Sequence, residues 1–204
     1  MASNYPHVNA PPPVEYPFNQ PSYFLKRQLF QLLGQNFRIY DPSGKLALFS
    51  HQKAFKLKED IRIYSDESKA TEVLSIKARQ IIDFSAAYDV VDARQGQKVG
   101  ALKRKGWKSI VRDHWILLDE SDREIGTIVE DQVALAMVRR FLTNLVPQSY
   151  DLMVGPQKAV DFTQRFNPFV YHLDIKFAHQ NPIVDRRLAL AGAILLAAIE
   201  GRQS

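Results

Sequence analysis

The sequence predicts a mainly β protein, a closed antiparallel barrel of about twelve strands that encloses a hydrophobic C-terminal helix. Two observations carry this. A strand–turn–strand phrase recurs through the middle of the chain. The chain then ends in DRRLALAGAILLAAIEG, Asp185 to Gly201, in which no residue from Leu188 to Ile199 is polar. Many short strands indicate a sandwich or a barrel. A barrel of eleven or so strands is wide enough to hold a central helix.

The 204 residues are 46% hydrophobic and 24% charged, with a net charge of +5. Such a chain can bury the core of one globular domain. Residues 1–22 differ from the rest. Six prolines lie between Pro6 and Pro21, and aliphatic residues for a core are lacking. This segment reads as a flexible, proline-rich arm of polyproline character, open to a protein partner. Its last residues have the means to strap onto the domain through Tyr16, Phe18, Tyr23 and Phe24. No basic residue precedes Lys26 and there is no apolar stretch, so the arm does not read as a secretory signal. The domain itself is expected over residues 23–204.

The hairpins follow in order. In FRIYDPSGKLALFS, Phe37 and Ile39 precede the turn Asp41–Gly44, and Leu46 and Leu48 follow it. IRIYSDESKATEVLSIKA is a degenerate copy with Ser65 at the aspartate position. YDVVDARQGQKVGALKRK places Tyr88 and Val90 before Asp92, with Gly96 closing the turn. WILLDESDREIGTIVE places Trp115 and Leu117 before Asp119, then Ile125 and Gly126. The turn positions 41, 65, 92 and 119 are spaced by 24, 27 and 27 residues, the mark of a repeated supersecondary unit. Asp in such turns bonds nearby backbone N–H groups, so Asp41, Asp92 and Asp119 read as turn caps rather than catalysts. Connecting strands are expected at AFKLK, QIIDFS and KSIVRDH, and late strands at SYDLMV, KAVDFTQRF and FVYHLDIKF. A helix is expected from Gln132 to Leu145, with Val138, Leu142 and Leu145 as its apolar stripe and Val146–Pro147 as its end.

The final helix is expected over about residues 184–200. Leu188, Leu195, Leu196 and Ile199 favour one face, and Leu190 and Ile194 the opposite one. A helix that is apolar all round is normally enclosed by protein. The apolar run covers roughly 18 Å, short of a hydrocarbon core of ~30 Å. Arg186 and Arg187 before it and Glu200 and Arg202 after it block extension.

This order of hairpins and final helix resembles the tubby-like C-terminal superfamily, and within it the LURP-one-related and phospholipid-scramblase branch. The residues that carry the resemblance are Tyr40–Asp41 to Gly44, Val91–Asp92 to Gly96, Leu118–Asp119 to Gly126, and the terminal DRRLALAGAILLAAIEG. The resemblance implies a barrel closed around the helix. Tubby proteins bind phosphoinositides, and scramblases are associated with calcium-dependent lipid movement. The chain departs from scramblases in three ways. It has no Cys. PPPVEY has one residue more than a PPxY motif. The segment before the helix offers only Asp174 and Asp185 with Lys176 between them, which is no calcium loop.

The absence of Cys excludes disulfides, thiol catalysis and cysteine-bound metal, and fits a reducing compartment. His7, His51, His114, His172 and His179 are scattered without metal-ligand spacing, and no nucleotide or nucleophile-elbow motif occurs. No cofactor, no metal and no enzymatic activity are expected. The densest basic stretch is KVGALKRKGWKSIVR. Lys103, Arg104, Lys105, Lys108 and Arg112 surround Trp107 there, as suits the head groups of an anionic membrane. A second cluster, Lys53, Lys56, Lys58 and Arg62, is mixed with Glu59 and Asp60 and reads as a solvated strand face. The expected function is a cytoplasmic, non-enzymatic module that is peripheral at an anionic phospholipid surface. Nucleic acid is not an expected partner. The rivals are a protein-interaction or scaffold module without lipid affinity, and a hydrolase with a spatially assembled site.

Overall fold

A computed structural model of the chain describes residues 15–28, 34–52, 60–79, 87–104, 114–130, 148–167, 169–179 and 183–199. Twelve strands precede one helix among them. They are β1 (Ser22–Gln28), β2 (Gln35–Tyr40), β3 (Leu46–Gln52), β4 (Ile61–Tyr64), β5 (Glu72–Ala78) and β6 (Ala87–Asp92). Then come β7 (Gln97–Arg104), β8 (His114–Leu118), β9 (Glu124–Glu130), β10 (Ser149–Val154), β11 (Gln157–Arg165) and β12 (Val170–Phe177). The helix, α1, is Arg186–Ile199. Each strand pairs antiparallel with its neighbours in sequence, and β1 pairs with β12 to close the barrel.

The four hairpin copies form β2–β9, two strands each, as the turn chemistry predicts. They share a feature that the turns alone do not reveal. Each pairing slips by one residue just before its turn, leaving Ala47, Val73, Val99 and Ile125 as the extra residues, one every 26 positions. The β10–β11 hairpin repeats the slip at Ala159. Every bulged residue is apolar and packs on the core. A bulge bends its strand and sharpens the right-handed twist, which is how a wide sheet curls until its edges meet.

α1 fills the barrel. Leu188, Leu190, Ile194, Leu195 and Leu196 are all at most 1% exposed, so both expected faces are buried. The side chain of Ile199 lies outside the described residues. The helix needs small neighbours to fit. A Cβ on Gly100 of β7 would collide with Leu118 O and press on Leu188, and one on Gly192 would stand 3.0 Å from Ile128 Cδ1. Asp185 caps the helix, accepting the Arg187 N–H at 2.8 Å.

The even strand count gives the barrel two different ends. The tight turns of β2–β3, β4–β5, β6–β7, β8–β9 and β10–β11 gather at one, the hairpin end, where α1 enters. The opposite end is where β1, β3, β5, β7, β9 and β11 finish.

The segment Ser22–Gln28 is a strand that no turn or hairpin repeat announces in the sequence. Its inward residues are Tyr23, Leu25 and Arg27, and a buried Arg conceals the apolar alternation. The end of the proline-rich arm is docked: Pro17 and Phe18 are buried, Phe18 completely. Tyr23 Oη donates to Pro17 O at 2.7 Å and accepts from the Gln20 N–H at 3.0 Å. Burial pushes the Tyr23 hydroxyl pKa up to about 12. With Lys45 over the Tyr16 ring and Arg94 over Phe18, residues 15–21 cross the hairpin end and help seal it. Finally, AFKLK, QIIDFS, the helix Gln132–Leu145, residues 1–14 and all of KSIVRDH except His114 lie outside the described residues.

Candidate functional site

The turns of the hairpin end are capped by their own carboxylates. Asp41 Oδ1 accepts from Ser43 N at 2.9 Å, Ser43 Oγ at 2.6 Å and Lys45 N at 3.0 Å. Asp92 Oδ1 accepts from Arg94 N at 2.9 Å and Gln95 N at 3.3 Å. Asp119 Oδ1 accepts from Ser121 N and Arg123 N, both at 2.9 Å. In the degenerate copy Ser65 keeps the backbone role and the next residue supplies the carboxylate, since Asp66 Oδ1 accepts from Ser68 N at 2.8 Å. Hydrogen bonds from Ser43 hold the Asp41 carboxyl below its usual range, and those from Ser68 and Ser65 do the same for Asp66. Carboxylates stabilised in their charged form are poor proton shuttles at neutral pH. These aspartates are turn caps.

Asp92 has a second partner. Its Oδ2 accepts from Arg187 Nη1 at 2.7 Å, and Arg187 Nη2 reaches Asp185 Oδ2 at 2.6 Å. The pair of carboxylates holds the guanidinium firmly charged. The start of α1 is thereby bolted to the β6–β7 turn. Arg186, beside it, lies over the Phe177 ring at 4.5 Å. No group of three metal-binding side chains occurs among the described residues. Asp174 and Asp185, the two acids before the helix, are committed to Arg165 and to the helix cap.

The opposite end is different in kind. β7 finishes there, and the structure describes two members of the expected basic site. Lys103 is exposed on the outer face of β7. Arg104, the next residue, is partly buried. It pairs across to Trp115, which is 1% exposed and points inward. Successive strand residues face opposite sides, so Lys103 and Arg104 do not share a surface within β7. Burial raises the Tyr88 hydroxyl pKa and the nearby Arg104 charge opposes it, which places that charge by the inner rim. Lys105, Trp107, Lys108 and Arg112 lie outside the described residues, as do Lys53, Lys56 and Lys58. Arg62 pairs with Glu72 at 3.2 Å. Lys98, at the hairpin-end start of the same basic stretch, is spent: its ammonium sits 2.7 Å from Asp122 and 3.4 Å from Asp89, with Arg79 bound to both acids.

Basic residues that sequence reasoning did not single out lie on β1, β11 and β12 towards the same end. Lys26 lies over the stacked Phe24 and Tyr40 rings, 5.2 and 5.4 Å from their centroids. His172 is the cross-strand neighbour of both Lys26 and Arg165. Burial first, then the positive charges of Lys26 and Arg165, push the His172 pKa below its ordinary value. Only barrel closure brings Lys26 beside His172, so no local pattern announces this cluster.

Charge therefore divides along the barrel axis. The turns at the hairpin end carry Asp41, Asp66, Glu67, Asp119, Glu120 and Asp122 against Lys45, Lys69, Arg94 and Arg123, a small net acidity. By sequence, the connections leaving the opposite end are net basic. No helix among the described residues is long and apolar enough to cross a membrane.

A family model described as LURP-one-related matches residues 46–197, from β3 into α1. Among curated proteins, none matches the chain.

Proposed function

The chain belongs to the LURP-one-related family of the tubby-like superfamily, and from that premise we propose that it is a non-enzymatic module for anionic lipid head groups. It acts peripherally, at a cytoplasmic membrane surface, with its net-basic end towards the bilayer. The observation that carries this reading is the division of charge between the two ends. The hairpin end is slightly acidic in its turns and uses most of its carboxylates in turn caps and ion pairs, so it offers an anionic surface little attraction. The opposite end carries Lys103, and in the sequence Lys105, Lys108 and Arg112 follow it with Trp107 among them. An amphipathic ring among cations suits the membrane interface.

Each cation near an anionic surface contributes ~1 kcal/mol at best. Replacing Lys103, Arg104, Lys105 and Lys108 by Gln should weaken binding by tens of fold, since the inward face of Arg104 lowers the limit of roughly a thousandfold for four. The test is co-sedimentation with vesicles of phosphatidylcholine alone and of equal parts phosphatidylcholine and phosphatidylserine, at low and high salt. Binding only to the mixed vesicles, lost at high salt and in the Gln variant, is the expected result. A Debye length of about 8 Å at physiological salt requires that dependence. Wild-type protein that ignores mixed vesicles at low salt overturns the reading and leaves a protein scaffold in its place.

A further inference from the structure

Phe166 and Phe169 are the two most exposed large apolar side chains among the described residues, at 55% and 70%. Both stand on the β11–β12 turn, at the end of the barrel opposite the hairpins. Their neighbours on the same strands are buried normally: Phe162 is 0% and Tyr171 3% exposed. Two hydrogen bonds to one side chain span the turn. Asn167 Oδ1 accepts from Phe169 N at 2.9 Å and from Val170 N at 3.0 Å. An Asx turn of this kind holds its flanking residues in place without help from a core. Two large rings thus stand out in water beside the Asn167 cap, where a polar pair would serve the turn equally well.

We propose that this tip is the insertion point of the molecule, with Phe166 and Phe169 entering the interfacial layer of an anionic bilayer. The inference rests on the lipid-binding reading and adds to it an apolar anchor at a defined place on the barrel. Charge selects the bilayer over an apolar protein patch. Below the tip, Lys26, Arg165 and His172 face outwards together, with the single carboxylate Asp174 among them. Burial, and after it the charges of Lys26 and Arg165, lower the His172 pKa, so the cations of this cluster are Lys26 and Arg165. Four strands round the wall, Lys103 rises from the same end. With the barrel standing end-on, the rings enter the interface while the cations meet head groups. The carboxylates of the hairpin end then point away.

The rings and the cations act through different physics, so they separate experimentally. Neither ring is charged, so Phe166→Ser with Phe169→Ser should reduce partition into mixed phosphatidylcholine–phosphatidylserine vesicles by on the order of ten- to a hundredfold. The salt dependence should remain. Because the chain has no Cys, one can be placed at will. Phe169→Cys carries an environment-sensitive dye at the tip, and Gln95→Cys, exposed in the β6–β7 turn, carries it at the hairpin end. On adding mixed vesicles the tip dye should shift to the blue and the Gln95 dye should not. Co-sedimentation with an unshifted tip dye and an unweakened double-Ser variant overturns the insertion tip while lipid binding stands. Failure of the wild type to co-sediment overturns both.

Discussion

Asp92 shows how much one side chain carries in this fold. One oxygen ties two backbone N–H groups of its own turn, and the other takes a guanidinium from a residue 95 positions away. The first contact is local and makes the hairpin. The second is non-local and fixes where the helix starts. Removing one member of a buried ion pair strands the other, at a cost of ~3–5 kcal/mol. With side chains only 14% and 4% exposed, Arg187→Met should destabilise the protein by about 3 kcal/mol, because it leaves the Asp92 carboxylate buried. Asp92→Asn should cost less. Its amide oxygen can still cap the turn, and Arg187 keeps Asp185. Denaturant midpoints of the two variants test the order. Equal losses would mean that the lost helix tie accounts for both and that the stranded Asp92 carboxylate adds no cost.

Among the elements, α1 has the largest energetic role for its length. Five fully buried Leu and Ile side chains, at ~1.5–3 kcal/mol each, contribute on the order of 10 kcal/mol, comparable with a domain's whole net stability. Leu195→Asp should therefore give no soluble folded protein. A folded variant that merely loses vesicle binding would make α1 an external anchor. The wall is as constrained as the plug. Gly100→Ala should cost ~1–3 kcal/mol, because its methyl meets the Leu118 carbonyl and the Leu188 side chain together. A neutral result would show that β7 and β8 have slack against the helix.

For the whole molecule, closure is the governing fact. Every strand has a partner on both sides, and the β1–β12 seam joins the first strand to the last. Neither barrel nor helix can bury its apolar face without the other, so they should unfold as one. In a Trp107→Phe background, the fluorescence of the buried Trp115 reports the wall, and the far-ultraviolet circular dichroism reports helix and strands together. The two melting curves should coincide. A helical loss that precedes the fluorescence change would show an independent plug. The same closure removes free strand edges, which leaves loops and ends as the surfaces for recognition.

The hairpins and the final helix were legible in the sequence, since turn caps act within four residues and an unbroken apolar run has one stable place to go. The tubby-like resemblance follows from the same two features. What lay beyond the sequence is set by closure and by phase. Each bulge resets which residues face inward, so Ala47 with Leu48 and Val73 with Leu74 are adjacent yet both buried. Those apolar pairs are the signal that alternation conceals. Lys103 and Arg104 are neighbours in the chain but belong to opposite faces of β7. Lys98 reads as one more cation in a basic stretch, yet Asp122, 24 residues on, claims it. Phe162 and Phe166 look alike in sequence, and only the length of β11 makes one core and the other tip. Local rules decide which segments become strands. Which residues then face the interior, the ion pairs or the solvent depends on where those strands meet, and only the closed barrel decides that.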